Sequence, residues 1–120
     1  MKILIKNGMI VSDSETYQAD ILIEDEKIKW IGTDLPETDV DTVIDAEGKY
    51  VIPGAIDVHT HMDIDVGIAR AVDDFYDGTV AAACGGTTSI VDHMGFGPAG
   101  VPLHYQFNEY KKLTEGKAVI

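Results

Sequence analysis

The alternation of strand-like and helix-like segments in the second half of the chain is the feature that most restricts its fold. Short apolar or β-branched runs indicate strands, and helical spacing of apolar side chains indicates helices. The strand-like runs are 55–59, 87–92 and 117–120, and the helix-like runs are 73–84 and 102–115. A β-α-β-α-β order predicts a parallel sheet, because parallel neighbours need a long crossover connection.

Parallel sheets are covered on both faces, and three strands with two helices cannot provide that cover. The fold that typically begins with this pattern is a (β/α)₈ barrel of about 250 residues. The chain has 120 residues. We therefore expect residues 53–120 to be the start of an incomplete barrel, in which chemistry takes place at the C-terminal ends of the strands.

Residues 1–52 have a different pattern, with short strands between turns and no long helix. Asn7-Gly8 is a strong turn dipeptide, so a strand over 2–5 is expected to end there, with 9–11 returning beside it. The other strands are expected at 19–24, 27–31, 42–45 and 49–52. This region is predicted to be a small antiparallel β unit.

Charge and composition exclude several classes of protein. The net charge of −12 argues against nucleic acid or an anionic membrane as partner, since both attract clustered Lys and Arg. A single cysteine allows no internal disulfide. The first apolar run is too short for a signal peptide, and no segment reaches the length of a membrane span. We expect a cytoplasmic protein.

The stretch from Pro53 to His61 is the best candidate for chemistry. In a strand, side chains alternate between faces, so Asp57, His59 and His61 point the same way. Two imidazoles about 6–7 Å apart along a strand can converge on one metal ion if the strand twists. His59 and His61 are therefore the predicted metal ligands, although histidines at this spacing also occur as ordinary surface residues.

Several segments along the whole chain resemble the hydantoinase and dihydropyrimidinase group of the amidohydrolase superfamily, and within it the bacterial phenylhydantoinases. They are Lys6-Asn7-Gly8, Asp45 to Gly48, Pro53 to His61, Asp73-Asp74-Phe75, Gly78-Thr79, 81–88 and 92–98. The Asp-x-His-x-His core alone is shared with dihydroorotases, allantoinases and some deaminases. The ordered set of the other segments favours the hydantoinases.

This resemblance implies an N-terminal portion of a larger enzyme. Residues 1–52 would belong to a β-sandwich, and residues 53–120 would begin a metal-dependent (β/α)₈ barrel. The family holds two zinc ions bridged by hydroxide and a carboxylated lysine, and His59 and His61 match its first pair of ligands. The lysine, two further histidines and the proton-transferring aspartate lie on later strands. The 120 residues therefore contain no catalytic residue and are expected to be inactive alone.

The reaction implied by the resemblance is hydrolytic ring opening of a small cyclic amide, a 5-substituted hydantoin or dihydropyrimidine, by a homotetramer. Val66 and Phe96 are candidates for contact with the ring substituent. Asp57 either accepts a hydrogen bond from a ligand imidazole or caps the base of the barrel. The alternatives are a non-catalytic scaffold of the same fold without metal, and another cyclic amidohydrolase such as a dihydroorotase or allantoinase.

Overall fold

The computed structural model describes all residues 1–120 and divides into two compact units, Met1–Pro53 and Gly54–Ile120. Its elements are β1 (Lys2–Val11), β2 (Thr16–Glu24), β3 (Lys27–Gly32), β4 (Thr42–Asp45), β5 (Tyr50–Val51), β6 (Ala55–Thr60), α1 (Phe75–Cys84), β7 (Thr87–Asp92) and α2 (Leu103–Thr114). Neither helix has the length and apolar character that a membrane span requires. The chain is a mixed α/β protein, as the sequence predicts.

The first unit is one sheet built around β1. Antiparallel pairing joins β1 to β2 and β2 to β3, whereas β4 and β5 both pair with β1 in parallel. The prediction of an all-antiparallel unit is therefore wrong. The reason is the loop over residues 33–41, which carries the chain from β3 to the other edge of β1, where the backbone N–H of Asp41 donates to the carbonyl of Lys2.

The Asn7-Gly8 dipeptide bends a strand and does not reverse the chain, so the predicted turn is also wrong. Asn7 has a φ of 61°, in the left-handed region, and the pairing register shifts between Ile5 and Gly8. The backbone N–H of Asn7 leaves the strand ladder and donates to Asp20 Oδ1 at 2.9 Å. The two residues thus form a bulge within one continuous strand.

The apolar core of the first unit lies at the centre of this sheet. Leu4 is fully buried, and Ile10, Ala19 and Ile21 are also buried. Tyr17 and three aliphatic residues pack around the last three, namely Ile5, Ile23 and Val51. Burial of these side chains on β1 and β2 fixes the register of their pairing, since a shift of one residue would turn them all to the other face.

The second unit contains a parallel pair, β6 and β7, with α1 as the connecting helix. These two strands form a two-stranded sheet and not a closed barrel. The carboxylate of Asp74 caps α1 by accepting from the backbone N–H groups of Tyr76 and Asp77. At the other end Gly86 has a φ of 88°, a conformation that favours glycine. The predicted helices are confirmed to within two residues at each end.

The third predicted strand, 117–120, is not formed. The backbone N–H groups of Lys117 and Ala118 donate to the carbonyl of Thr114, which continues the turn after α2. The N–H of Val119 donates to Thr79 Oγ1 at 3.1 Å. Because these donors are used by neighbouring helices, the apolar run after Gly116 is not paired as a strand.

Substitution of Asp20 tests whether its buried carboxylate stabilises the backbone of the first unit. Its side chain is almost fully buried and accepts from the backbone N–H groups of Asn7 and Leu35, at 2.9 and 3.0 Å. Asp20→Ala leaves both donors without a partner, at a cost of about 1–3 kcal/mol each. We expect amide hydrogen exchange at Asn7 and Leu35 to become at least tenfold faster, which NMR can measure. Asp13→Ala removes an exposed carboxylate and serves as control. Unchanged exchange in Asp20→Ala would contradict this role.

Candidate metal centre

His59 and His61 lie at the C-terminal end of β6, and the structure brings their rings together. The Nε2 atoms are 3.0 Å apart, and the ring centroids are separated by 4.9 Å with 71° between the ring planes. At metal–nitrogen distances of about 2.0–2.1 Å, two nitrogens so placed subtend about 95° at one ion. Both side chains are exposed. The pair thus has the geometry of two adjacent ligands of a single cation.

The tautomer of His61 follows from the hydrogen bond of its Nδ1 atom. Nδ1 lies 2.9 Å from the backbone carbonyl of His93, and a carbonyl can only accept a hydrogen bond. Nδ1 therefore carries the proton, and in the neutral ring the lone pair lies on Nε2, the atom that faces His59. Fixing the tautomer through the second nitrogen is how proteins commonly prepare a histidine for a metal.

The carboxylate of Asp92, at the end of β7, holds the backbone that carries His61. Its Oδ2 accepts from the hydroxyl of Thr60 at 2.7 Å and from the backbone N–H of Met62 at 2.8 Å. Its Oδ1 accepts from the hydroxyl of Tyr110 on α2 at 2.6 Å. The residues immediately before and after His61 are therefore tied to one anion, which restricts the position of the ring between them.

Tyr110 occupies the far side of this carboxylate. Its ring packs edge to face against Phe75, a fully buried residue at the start of α1, with centroids 5.4 Å apart. Burial, followed by the hydrogen bond and the charge of Asp92, raises the pKa of Tyr110 well above its usual value. The hydroxyl thus remains a donor to Asp92 over the whole physiological pH range.

The loop after His61 is closed by polar contacts of its own. Both Nε and a terminal nitrogen of Arg70 contact Oδ1 of the buried Asp63, at 2.8 and 2.6 Å. The backbone N–H of Ala71 donates to the carbonyl of Ile64. Met62 at its start packs on the helix α1, where a Cβ on Gly78 would lie only 2.8 Å from the methionine sulfur.

A third imidazole lies beside the pair. The ring of His93 has its centroid 4.2 Å from that of His59, with 31° between the planes, and 5.8 Å from that of His61. No group of three or more His, Cys, Asp or Glu side chains is placed so that it could hold a metal ion. Within residues 1–120 the converging donors are therefore His59 and His61.

The other three predicted site residues, Asp57, Phe96 and Val66, lie at three different places in the second unit. Asp57 accepts a hydrogen bond at 3.1 Å from the backbone N–H of His59, so its contact with this residue is through the backbone and not the ring. Phe96 is fully exposed at its side chain and borders a cavity of about 220 Å³, together with Met62 and His93. Val66 is exposed near the tip of the loop and lies outside that cavity.

Two residues of this region were not among the predicted site residues. Tyr110 falls on the apolar spacing of α2, which predicts a packing residue, and only the structure shows its hydroxyl on Asp92. His93 directly follows β7, and the C-terminal ends of neighbouring parallel strands meet at one edge of a sheet. Its position after the second strand was therefore the available signal that it lies near the first pair of histidines.

Comparison with known proteins shows which enzymes this chain is similar to. No protein-family model matches the chain. The chain is 52% identical to D-phenylhydantoinase of Escherichia coli O1:K1 over all 120 residues, which are 26% of that protein. The crystal structure of dihydropyrimidinase from Brevibacillus agri NCHU1002 matches with a TM-score of 0.93 and 50% identity, over 100% of this chain and 26% of that one. The chain is similar to hydantoinases throughout its length.

D-Hydantoinase from Bacillus sp. AR9 gives the same result, with a TM-score of 0.90 and 46% identity over 98% of this chain and 25% of that one. The resemblance inferred from the ordered motifs is thus confirmed in both sequence and structure. The chain spans about a quarter of the length of the curated relatives that it matches.

The raised pKa of Tyr110 predicts its behaviour in alkali. Because folding favours the protonated phenol, this stabilisation is complete below the unfolded pKa of about 10 and is lost as the pH rises from there towards the native pKa. At about pH 11 we expect Tyr110 to be protonated, as read from its ¹³Cζ shift, whereas a free tyrosine side chain has a pKa of about 10. Asp92→Asn should lower the pKa of Tyr110. Ionisation of Tyr110 in the unmutated protein at the pH at which free tyrosine ionises would contradict the assignment.

Proposed function

We propose that this chain is part of a zinc-dependent cyclic amidohydrolase that opens the ring of 5-substituted hydantoins or dihydropyrimidines. The observation that carries the proposal is the 3.0 Å approach of the His59 and His61 Nε2 atoms at the C-terminal end of a parallel strand. Its position agrees with the rule that barrel enzymes place chemistry at that end. The similarity to proteins named D-phenylhydantoinase and dihydropyrimidinase supplies the reaction class.

The donors present fit part of a zinc site. His59 and His61 would hold the metal through Nε2, and the His93 carbonyl keeps the proton of His61 on Nδ1. Bound zinc lowers the pKa of water to about 7 and polarises a carbonyl group. The other ligands, a carboxylated lysine that bridges two zinc ions and two more histidines, together with the proton-transferring aspartate, would come from outside residues 1–120.

The chain would also contribute to the pocket for the ring substituent. Phe96 presents an exposed aromatic ring from the glycine-rich loop after β7, and Val66 presents an exposed aliphatic group from the loop after β6. Covering an exposed apolar side chain with an apolar group removes apolar surface from water, which is favourable. We propose that they contact an apolar or aromatic substituent at the 5-position of the substrate.

The surrounding architecture follows from the same relationship. We propose that residues 1–52 belong to a β-sandwich and residues 53–120 to a (β/α)₈ barrel in a cytoplasmic homotetramer. Ile56 and Val58 on β6 support the barrel, because both are about two-thirds exposed on a strand that is apolar enough to be covered. A metal-free scaffold of the same fold would have no need for two converging imidazole nitrogens.

The ligand assignment predicts the effect of His59→Ala in the full-length protein that carries these residues. Loss of one imidazole should remove metal from this position and lower ring-opening activity by several orders of magnitude, because the metal generates the nucleophile. Zinc per subunit and hydantoin hydrolysis measure the two effects.

The matched control is His104→Ala, which removes an exposed histidine on α2. It should leave both quantities unchanged. Activity of His59→Ala within tenfold of the unmutated protein would refute the assignment. An unmutated protein that contains zinc-site histidines but neither zinc nor activity would favour the scaffold.

The substituent pocket predicts a change in specificity. Phe96→Ala should raise KM for a phenyl-substituted hydantoin by about tenfold, since loss of one apolar contact costs about 1–2 kcal/mol, and should leave KM for unsubstituted dihydrouracil nearly unchanged. Phe107→Ala makes the same truncation at an exposed position on α2 and is the control. Equal effects of Phe96→Ala on both substrates would contradict contact with the substituent.

A further inference from the structure

His93 contacts both members of the histidine pair, through two different groups. Its ring lies against the ring of His59, with centroids 4.2 Å apart and planes tilted by 31°. Its backbone carbonyl accepts from Nδ1 of His61 at 2.9 Å. A residue that touches two rings in two ways restricts the orientation of each of them.

We propose that His93 is a positioning residue for this pair of metal-binding imidazoles. Its ring fixes the rotation of the His59 ring, and its carbonyl fixes the rotation and tautomer of His61. This inference rests on the function proposed above, since it takes His59 and His61 as ligands. His93 itself binds no metal in this scheme.

The ring geometry distinguishes packing from ligation. His59 and His61 meet at an interplanar angle of 71°, with their Nε2 atoms facing, whereas the ring of His93 is tilted by only 31° from that of His59. Contact along the face of a ring leaves the lone pairs in the ring plane free. The second side-chain torsion of histidine is broad and soft, so a neighbour against the face narrows the range that the nitrogen explores.

The backbone of His93 is itself held at β6. Its N–H donates to the carbonyl of Thr60 at 2.9 Å, which extends the strand pairing by one residue. The preceding Asp92 accepts from the Thr60 hydroxyl and the Met62 N–H. Because these bonds use the backbone or another side chain, a substitution at 93 removes the ring and leaves the carbonyl bond to His61 in place.

The test measures zinc affinity of the full-length protein by competition with a chromophoric chelator. His93→Ala should weaken zinc binding by about 10–100-fold, the usual effect of removing a group that orients a ligand. His93→Phe retains a flat ring without nitrogen donors, and should bind zinc within about threefold of the unmutated protein, because an aromatic pair is preserved. His104→Ala is the control for loss of an exposed histidine.

Each outcome decides the inference. Rescue by His93→Phe together with weak binding by His93→Ala supports positioning by the ring. Unmutated affinity in His93→Ala overturns it, and so does a His93→Phe variant that is as weak as His93→Ala, since the nitrogens and not the ring would then be required. Should His93→Ala fail to fold, the comparison of His93→Phe with the unmutated protein still decides, because loss of binding in that variant overturns the inference and retention supports it.

A parallel His59→Ala arm separates this inference from the proposed function. If His59→Ala loses zinc and His93→Ala retains it, only the role of His93 fails. If His59→Ala also retains full affinity, or the unmutated protein binds no zinc, the proposed metal site fails and the inference fails with it.

Discussion

The region around His59 and His61 in the second unit depends on one carboxylate that accepts three hydrogen bonds. Asp92 receives the Thr60 hydroxyl, the Met62 N–H and the Tyr110 hydroxyl, and so joins the ends of β6 and β7 to α2. Hydrogen bonds to a charged acceptor are stronger than neutral ones, and a single anion satisfied by three donors resists rearrangement of any one of them. The backbone on both sides of His61 is thus held by a carboxylate that takes no part in the proposed metal binding.

The sequence predicted those elements whose local pattern and tertiary contacts agree. The β-branched run Thr87–Asp92 and the segment Thr42–Asp45 form strands with the predicted limits. Helix α1 has a carboxylate cap and a glycine end, which are both visible in the sequence. Asn7-Gly8 shows where local pattern fails, because the distant Asp20 captures the Asn7 N–H and turns a hairpin preference into a bulge.

The candidate site was predicted in part. Strand alternation places His59 and His61 on one face, which is a local property, and their contact at 3.0 Å agrees with it. The groups that hold this pair are not local, since the His93 carbonyl lies 32 residues from His61 and the Asp92 carboxylate lies 30 residues from Met62. Pairing of β6 with β7 brings them together, so these roles could be assigned only after the strand register was known.

Gly78 shows how a close side-chain contact limits what can be gained by stabilising a helix. Glycine inside a helix destabilises it by about 1 kcal/mol relative to alanine, so the exchange to alanine is an obvious choice in engineering for thermal tolerance. Here the added methyl group would lie 2.8 Å from the sulfur of Met62, the residue that follows His61. The exchange therefore requires the Met62 side chain to take another position, and the gain in helix stability is reduced by the cost of that movement.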